Sequence, residues 1–259
     1  MTARSLEPGK TPGRLPALDI IRGIVMVLMA IDHVRVYSGI PAGGPTASVF
    51  FTRWVTHFCA PAFVFFAGTA AFLHGRKLGH TRQLARFLVT RGLMLVVLEL
   101  TVIRFSWTFN IDYARFTLAG VIWMLGWCMV ILAALIHLSP RIVGIVGVAI
   151  VLLQQVFGLI PRALPASILP LWEFLYPAGS EAPLGITVLY TIVPWIGVMA
   201  AGYGFGLILM RDPADRRRLC LRIGVTTTVL FVVVAIVVDW LRPAGENRLT
   251  ALLRVLNQP

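Results

Sequence analysis

Apolar residues in this chain fall in runs of about twenty, the length at which a helix crosses the hydrocarbon core of a bilayer. Seven such runs stand out, roughly 17 to 37, 48 to 73, 86 to 106, 117 to 138, 142 to 160, 185 to 209 and 220 to 241. An eighth apolar stretch, 163 to 178, reads ALPASILPLWEFLYPA. It is too short and too rich in proline to cross, so a re-entrant or interfacial segment is expected there. The pattern predicts an all-α, polytopic membrane helical bundle of seven or eight transmembrane helices. A flexible tail over 1–16, Pro/Gly-rich in SLEPGKTPGRLP, precedes a single transmembrane domain over 17–241, and a second tail occupies 242–259.

Composition agrees with this class. The chain is 58% hydrophobic and 13% charged, against about 25% charged in an ordinary soluble domain. A net charge of +12 would suggest nucleic acid in a soluble protein, but the distribution of the charge explains it otherwise. With the amino terminus in the cytoplasm, thirteen basic residues, among them Arg76, Lys77, Arg82, Arg86, Arg211, Arg216, Arg217 and Arg218, lie on that side against eight on the other. Only Arg22 and Arg91 then fall inside spans, so the excess follows the positive-inside rule and no nucleic acid is expected. Asp19 and Arg22 interrupt any signal-peptide core, so the first span reads as retained in a multi-pass protein integral to the cell membrane. Three cysteines, Cys59, Cys128 and Cys220, show no C-x-x-C spacing and read as packing residues, and no metal site is expected.

The first span, LDIIRGIVMVLMAIDHV, carries Asp19, Arg22, Asp32 and His33. A charge at the bilayer centre costs roughly 2.5–3.5 kcal/mol on insertion scales, so such groups need an escape route or a job. Arg22 and His33 are eleven residues apart, about 20° past three full turns, and so share a face with roughly 16 Å between them along the axis. Asp32 points about 100° away from its neighbour His33, so the orienter of that imidazole should come from another helix. The plainer reading is that Arg22 snorkels to the headgroups and Asp32 meets water. Asp19 and Arg22, at i and i+3, are placed to pair.

Leu18-Asp19-x-x-Arg22-Gly23, followed by ten residues and then His33, resembles the Arg, ten residues, His signature of integral-membrane acyltransferases that acetylate glycans. RWVTHFCAPAFVFFAG, from Arg53 to Gly68, and VPWIGVMAAGYGFG, from Val193 to Gly206, are similar to bacterial relatives of heparan-alpha-glucosaminide N-acetyltransferase. The resemblance covers most of the chain. It implies acetyl-CoA taken up on the cytoplasmic face and acetylation of a sugar amine or hydroxyl on the far side. It also implies a departure, since the lysosomal enzyme has asparagine at the position of His33 and its proposed catalytic histidine in the loop that follows. Here Val34 to Thr56 contains no histidine, so that role passes to His33 or His57, or the chemistry differs.

Other intramembrane groups fit around this pair. His57 lies about 12 Å below the outer boundary, in His33's layer, and Pro61 removes the donor that would bond its carbonyl. Glu99, roughly 10 Å deep in span three, should be paired, and a histidine at matching depth is the economical partner. Arg91 sits at the depth of Arg22, and two guanidinium forks could grip phosphate. Trp195 follows Pro194, where broken helical bonding can expose backbone groups to a cavity. Trp123 and Trp127 read as core, and Gly202, Gly204 and Gly206 as small residues that let helices approach.

Together these readings predict an acetyl-CoA-dependent N- or O-acetyltransferase. His33, His57, Glu99 and Asp32 form the catalytic set; Arg22, Arg91, Asp19 and Trp195 hold the cofactor. His33 serves as general base, and an acetyl-histidine intermediate is equally open. Its partners are acetyl-CoA, a sugar or glycan acceptor and the lipid bilayer, with homo-oligomer formation left open. One competing reading is a small-molecule or ion transporter using the intramembrane His, Glu and Arg groups, although no repeated pair of interrupted spans is seen in two halves. A haem protein using His33, His57 or His137 is the other; His137 should lie at the cytoplasmic end of span four while His33 and His57 lie outward, which argues against most pairings.

Overall fold

The computed structural model describes residues 16–39, 55–113, 117–177 and 185–240. Most of both tails, the start of the second run at 48–54 with Arg53, and Arg115 lie outside the described residues. The chain is mostly helical. It divides into two compact units, one of residues 64–207 and one of residues 13–63 with 208–259.

In the second of these units, α1 runs unbroken from Pro16 to Tyr37. A short helical piece at Val55 and Thr56 is followed by a turn at His57 and Phe58, and α2 then begins, Cys59–Leu78. The turn falls where Pro61 cannot donate to the carbonyl of His57. The last helix, α10 (Pro213–Trp240), is the one described helix long and apolar enough by itself to cross a membrane; its most apolar 18-residue stretch has a mean hydropathy of 2.3 and is 6% buried.

The larger unit contains the rest of α2, α3 (Thr81–Leu98), a π-helical turn at Glu99–Ile103, α4 (Arg104–Thr108), β1 (Thr117–Ala119) and α5 (Val121–Leu135). Next come α6 (Pro140–Leu152), α7 (Gln154–Phe157), a 3-10 turn at Ile160–Ala163, α8 (Leu169–Trp172), β2 (Ile186–Val188) and α9 (Trp195–Leu209). Ser139 starts α6 by accepting from the Ile142 N–H, with Pro140 in the first turn where its missing donor costs nothing. The third run of the sequence is therefore one long helical path from Thr81 to Thr108, closed by Phe109 at φ 47°.

Besides the run 48–73, broken by the turn at His57 and Phe58, three of the expected spans differ from uninterrupted helices. The run 117–138 opens with β1, and the run 185–209 opens with β2; the two strands pair in parallel, Thr117 opposite Ile186 and Ala119 opposite Val188. Helix resumes only at Val121 after Gly120, and at Trp195 after Pro194, whose peptide bond with Val193 is cis. Two interrupted segments of matching design thus exist where the sequence showed none, because three-residue strands are too short to leave a period in an apolar run. The run 142–160 bends by 64° between α6 and α7. Residues 163–177 form turns and the single short helix α8, in keeping with the expectation that they do not make a full span.

Small residues hold the larger unit together. Gly92 of α3 and Gly126 of α5 face each other so closely that a Cβ on either would lie 2.5 Å from the other's carbonyl oxygen. Gly144 and Gly147 of α6 meet Gly204 and Gly197 of α9 in the same way, and Gly202 lies against the backbone of Phe65. Without a hydrophobic drive between helices in lipid, such approach is what lets van der Waals contact and interhelical hydrogen bonds form. Thr69 adds one, donating to the carbonyl of Gly202 at 2.9 Å. Leu84, Leu88, Met124, Leu132 and Met199 fill the remaining core, with Cys128 packed against the Met124 sulfur at 3.6 Å.

Candidate functional site

The last two turns of α1 bring together the polar groups of the smaller unit. Asp32 and Arg35 are three residues apart and so lie on one face. The Asp32 Oδ1 accepts from Arg35 Nη2 at 2.9 Å and Nε at 3.3 Å. It also accepts from the Thr56 hydroxyl at 3.0 Å, which ties α1 to the segment beside His57. Lower on α1, the Cys59 thiol donates to the carbonyl of Val25 at 3.7 Å. These two contacts bracket His57, which stands between Thr56 and Cys59. Arg35 is only 8% exposed while the Asp32 side chain is 29% exposed, so the pair presents its carboxylate rather than its cation.

His33 sits one residue beyond Asp32. Its Nδ1 lies 2.8 Å from the carbonyl oxygen of Met29. A carbonyl can only accept, so Nδ1 carries the hydrogen and Nε2 bears the lone pair in the neutral ring. One orienter of the imidazole is thus the Met29 carbonyl of α1 itself, four residues back. Arg22 and Asp19 lie exposed near the start of the same helix. Because α1 is continuous, the rise of about 1.5 Å per residue keeps Arg22 roughly 16 Å from His33 on one stripe.

The remaining expected residues belong to the larger unit. Glu99 opens the π-helical turn and is 4% exposed. Its carboxylate accepts from the backbone N–H groups of Gly120, Ile122 and Trp123, the start of α5. Four N–H groups are left over at any helix start, and a carboxylate is a favourable cap for them. The described hydrogen bonds of Glu99 thus go to a helix terminus, in place of the imidazole anticipated for it. Arg91 is exposed on α3, over the Phe87 ring at 5.4 Å, in an open groove of about 350 Å³ that it lines with Gln83, Arg86, Phe87 and Thr90. Trp195 is the first residue of α9, its ring 5.5 Å from that of Tyr190. Trp123 and Trp127 meet edge to face at 6.4 Å as core residues. Among the described residues, no cluster of three or more His, Cys, Asp or Glu is placed to hold a metal ion.

Sequence reasoning missed Arg35, Thr56 and Arg104. The Asp32-x-x-Arg35 spacing repeats that of Asp19-x-x-Arg22 and could have been read the same way. Arg104, 3% exposed, donates to the carbonyls of Asn110 and Asp112 and lies 4.0 Å from the Tyr113 ring centre. Its role was hidden because backbone carbonyl partners leave no side-chain signature.

Ionisable groups set in otherwise apolar helices, as Asp32, His33 and Glu99 are here, mark functional sites when such helices lie in a membrane. Residues 14–237 match the heparan-alpha-glucosaminide N-acetyltransferase catalytic family, and the chain belongs to that family of membrane acetyltransferases. Neither the curated proteins nor the solved structures contain a match to it.

Proposed function

We propose that this chain is a multi-pass membrane acetyltransferase that moves an acetyl group from cytoplasmic acetyl-CoA to an amine or hydroxyl of a sugar or glycan on the far side. On this reading the domain spans residues 17–241 between two tails and sits in the cell inner membrane. The observation that carries it is the family match over 14–237, joined to one continuous helix bearing Arg22 below and the Asp32–His33–Arg35 group above.

Arg22, with Asp19 one turn away, holds the nucleotide end of acetyl-CoA. The thioester arm crosses a distance of the order of the roughly 16 Å between Arg22 and His33. His33, with Nδ1 committed to Met29, offers Nε2 as general base. The acceptor's nitrogen or oxygen attacks the thioester carbonyl as His33 takes its proton. The new C–N or C–O bond forms, the C–S bond breaks, and CoA leaves as thiolate to be reprotonated from the imidazolium. Asp32, held by Arg35 and Thr56, fixes the register of the His57 segment on α1 and supplies negative charge near the imidazolium. His57 is the second candidate for the base.

Purified full-length protein in liposomes tests this through release of free CoA thiol. Release that requires an amino-sugar or glycan acceptor supports the reading. His33→Ala should abolish transfer while retaining acetyl-CoA binding, and Arg22→Ala should raise the KM for acetyl-CoA first. A transporter remains the second reading, favoured by the paired interruptions at β1 and β2. It would show as solute movement across liposomes without acetyl-CoA, and no thiol release.

A further inference from the structure

The groove of about 350 Å³ on α3, lined by Gln83, Arg86, Phe87, Thr90 and Arg91, lies wholly within the larger unit. Arg86 and Arg91 are both exposed in it. Arg91 reaches back along the helix, its guanidinium 5.4 Å from the centre of the Phe87 ring one turn nearer the start of α3. Helical side chains lean toward the N-terminus, and in a bilayer a long cationic chain snorkels to the headgroups, so Arg91 is drawn toward Arg86. His74 of α2 packs on the same Phe87 ring, the centres 4.5 Å apart. From Cys59 to Leu98 neither α2 nor α3 carries an acidic residue, so nothing on these two helices neutralises the pair of guanidiniums. Past the groove the same face of α3 turns apolar and stays open. At 100° per residue Gln83, Phe87, Thr90, Met94 and Val97 fall within about 80° of one another, and Met94 is 44% and Val97 59% exposed. Val97 stands roughly 9 Å from Arg91 along the axis. Guanidinium forks match the geometry of phosphoryl oxygens. A free phosphate or CoA would satisfy the arginines alone, whereas a molecule with an anionic head followed by an apolar chain matches cations and apolar stripe in the order the helix presents them.

We propose that this groove binds an anionic phospholipid, its phosphodiester between Arg86 and Arg91 and an acyl chain along Met94 and Val97. Arg91 then meets a lipid phosphate in place of the CoA phosphate expected of it from its depth. The inference needs α3 to lie in a bilayer, as membership of a family of membrane acetyltransferases supports, and goes beyond the acetyl-transfer reading.

The test reconstitutes full-length protein in vesicles of equal parts phosphatidylcholine and phosphatidylglycerol, re-extracts it in mild detergent and counts the retained lipid by native mass spectrometry. The double variant R86Q/R91Q removes both forks, and R217Q/R218Q removes the same charge from exposed positions in the first turns of α10. Expected is retention of phosphatidylglycerol over phosphatidylcholine by the parent and by R217Q/R218Q, and at least about tenfold less of it in R86Q/R91Q. Phosphatidylglycerol should also raise the unfolding temperature of the parent above its value in phosphatidylcholine alone, and should not do so in R86Q/R91Q. No preference in the parent, equal losses in the two double variants (the mark of diffuse charge attraction), or release of the retained lipid by excess CoA (the mark of a nucleotide site) each overturns the proposal. No readout involves thiol release, so its failure and the failure of the acetyl-transfer reading are separate results.

Discussion

Replacing Thr56 by Val removes one donor from Asp32. The Thr56 hydroxyl lies 3.0 Å from Asp32 Oδ1, and a hydrogen bond to a charged acceptor contributes about 1.5–3 kcal/mol in a dry site. The Asp32 side chain is 29% exposed, so water can replace part of that bond, and side-chain hydrogen bonds between membrane helices average about 0.6 kcal/mol with a maximum near 1.7. A loss of about 1 kcal/mol is therefore expected for T56V. Asp32→Ala should cost more, because Arg35 at 8% exposure is left without its carboxylate; breaking a buried pair costs about 3–5 kcal/mol, lowered here by the partial exposure. Once Asp32 is gone, T56V should cost almost nothing further, so a double-mutant cycle should give a coupling of about 1 kcal/mol. Equilibrium unfolding in mixed micelles measures it. The same T56V variant should lose one to two orders of magnitude in turnover with little change in the KM for acetyl-CoA, since misplacing the adjacent His57 by about 1 Å can cost about 100-fold. Coupling below about 0.3 kcal/mol, within the additivity of independent sites, would refute the claim that Asp32 ties α1 to the His57 segment.

Glycine contacts give a paired prediction: Gly126→Ala places a Cβ 2.5 Å from the Gly92 carbonyl and should destabilise by about 1–3 kcal/mol. Gly224→Ala on α10 meets nothing within 4 Å and should be neutral or gain up to about 1 kcal/mol of helix propensity, both read by thermal unfolding. Arg104→Met removes the donor to the carbonyls of Asn110, which keeps the Thr108 hydroxyl, and of exposed Asp112; it should cost about 0.5–1.5 kcal/mol per lost bond and raise hydrogen exchange at residues 110–112 above the parent. Tyr113→Leu removes the ring under that guanidinium and should cost about 0.5–2 kcal/mol, measured by the same unfolding assay.

The candidate site was partly legible in the chain. Arg22 and His33 could be placed on one stripe because helical periodicity is a local rule, and α1 obeys it without a break. The Asp32–Arg35 pair was equally available from its spacing. Nothing local, however, could join Asp32 to Thr56, twenty-four residues later, or Glu99 to the N–H groups of residues 120–123. A carboxylate in an apolar run announces that a partner must exist, because burial demands one. It does not say whether that partner is an imidazole, a guanidinium or the end of another helix.

What the sequence by itself determined is the helical class, through apolar runs long enough to close every backbone hydrogen bond within one segment, and the membership of the family, through motifs spread along those runs. It also determined the places where helices touch, because only glycine and other small residues admit a backbone at such close range. The tertiary structure decided where those helices stop being helices. The β1–β2 pair and the cap at Glu99 depend on segments that meet only after folding. Backbone groups freed from one helix must find partners, and whether another segment stands close enough to supply them is a fact of packing rather than of local pattern.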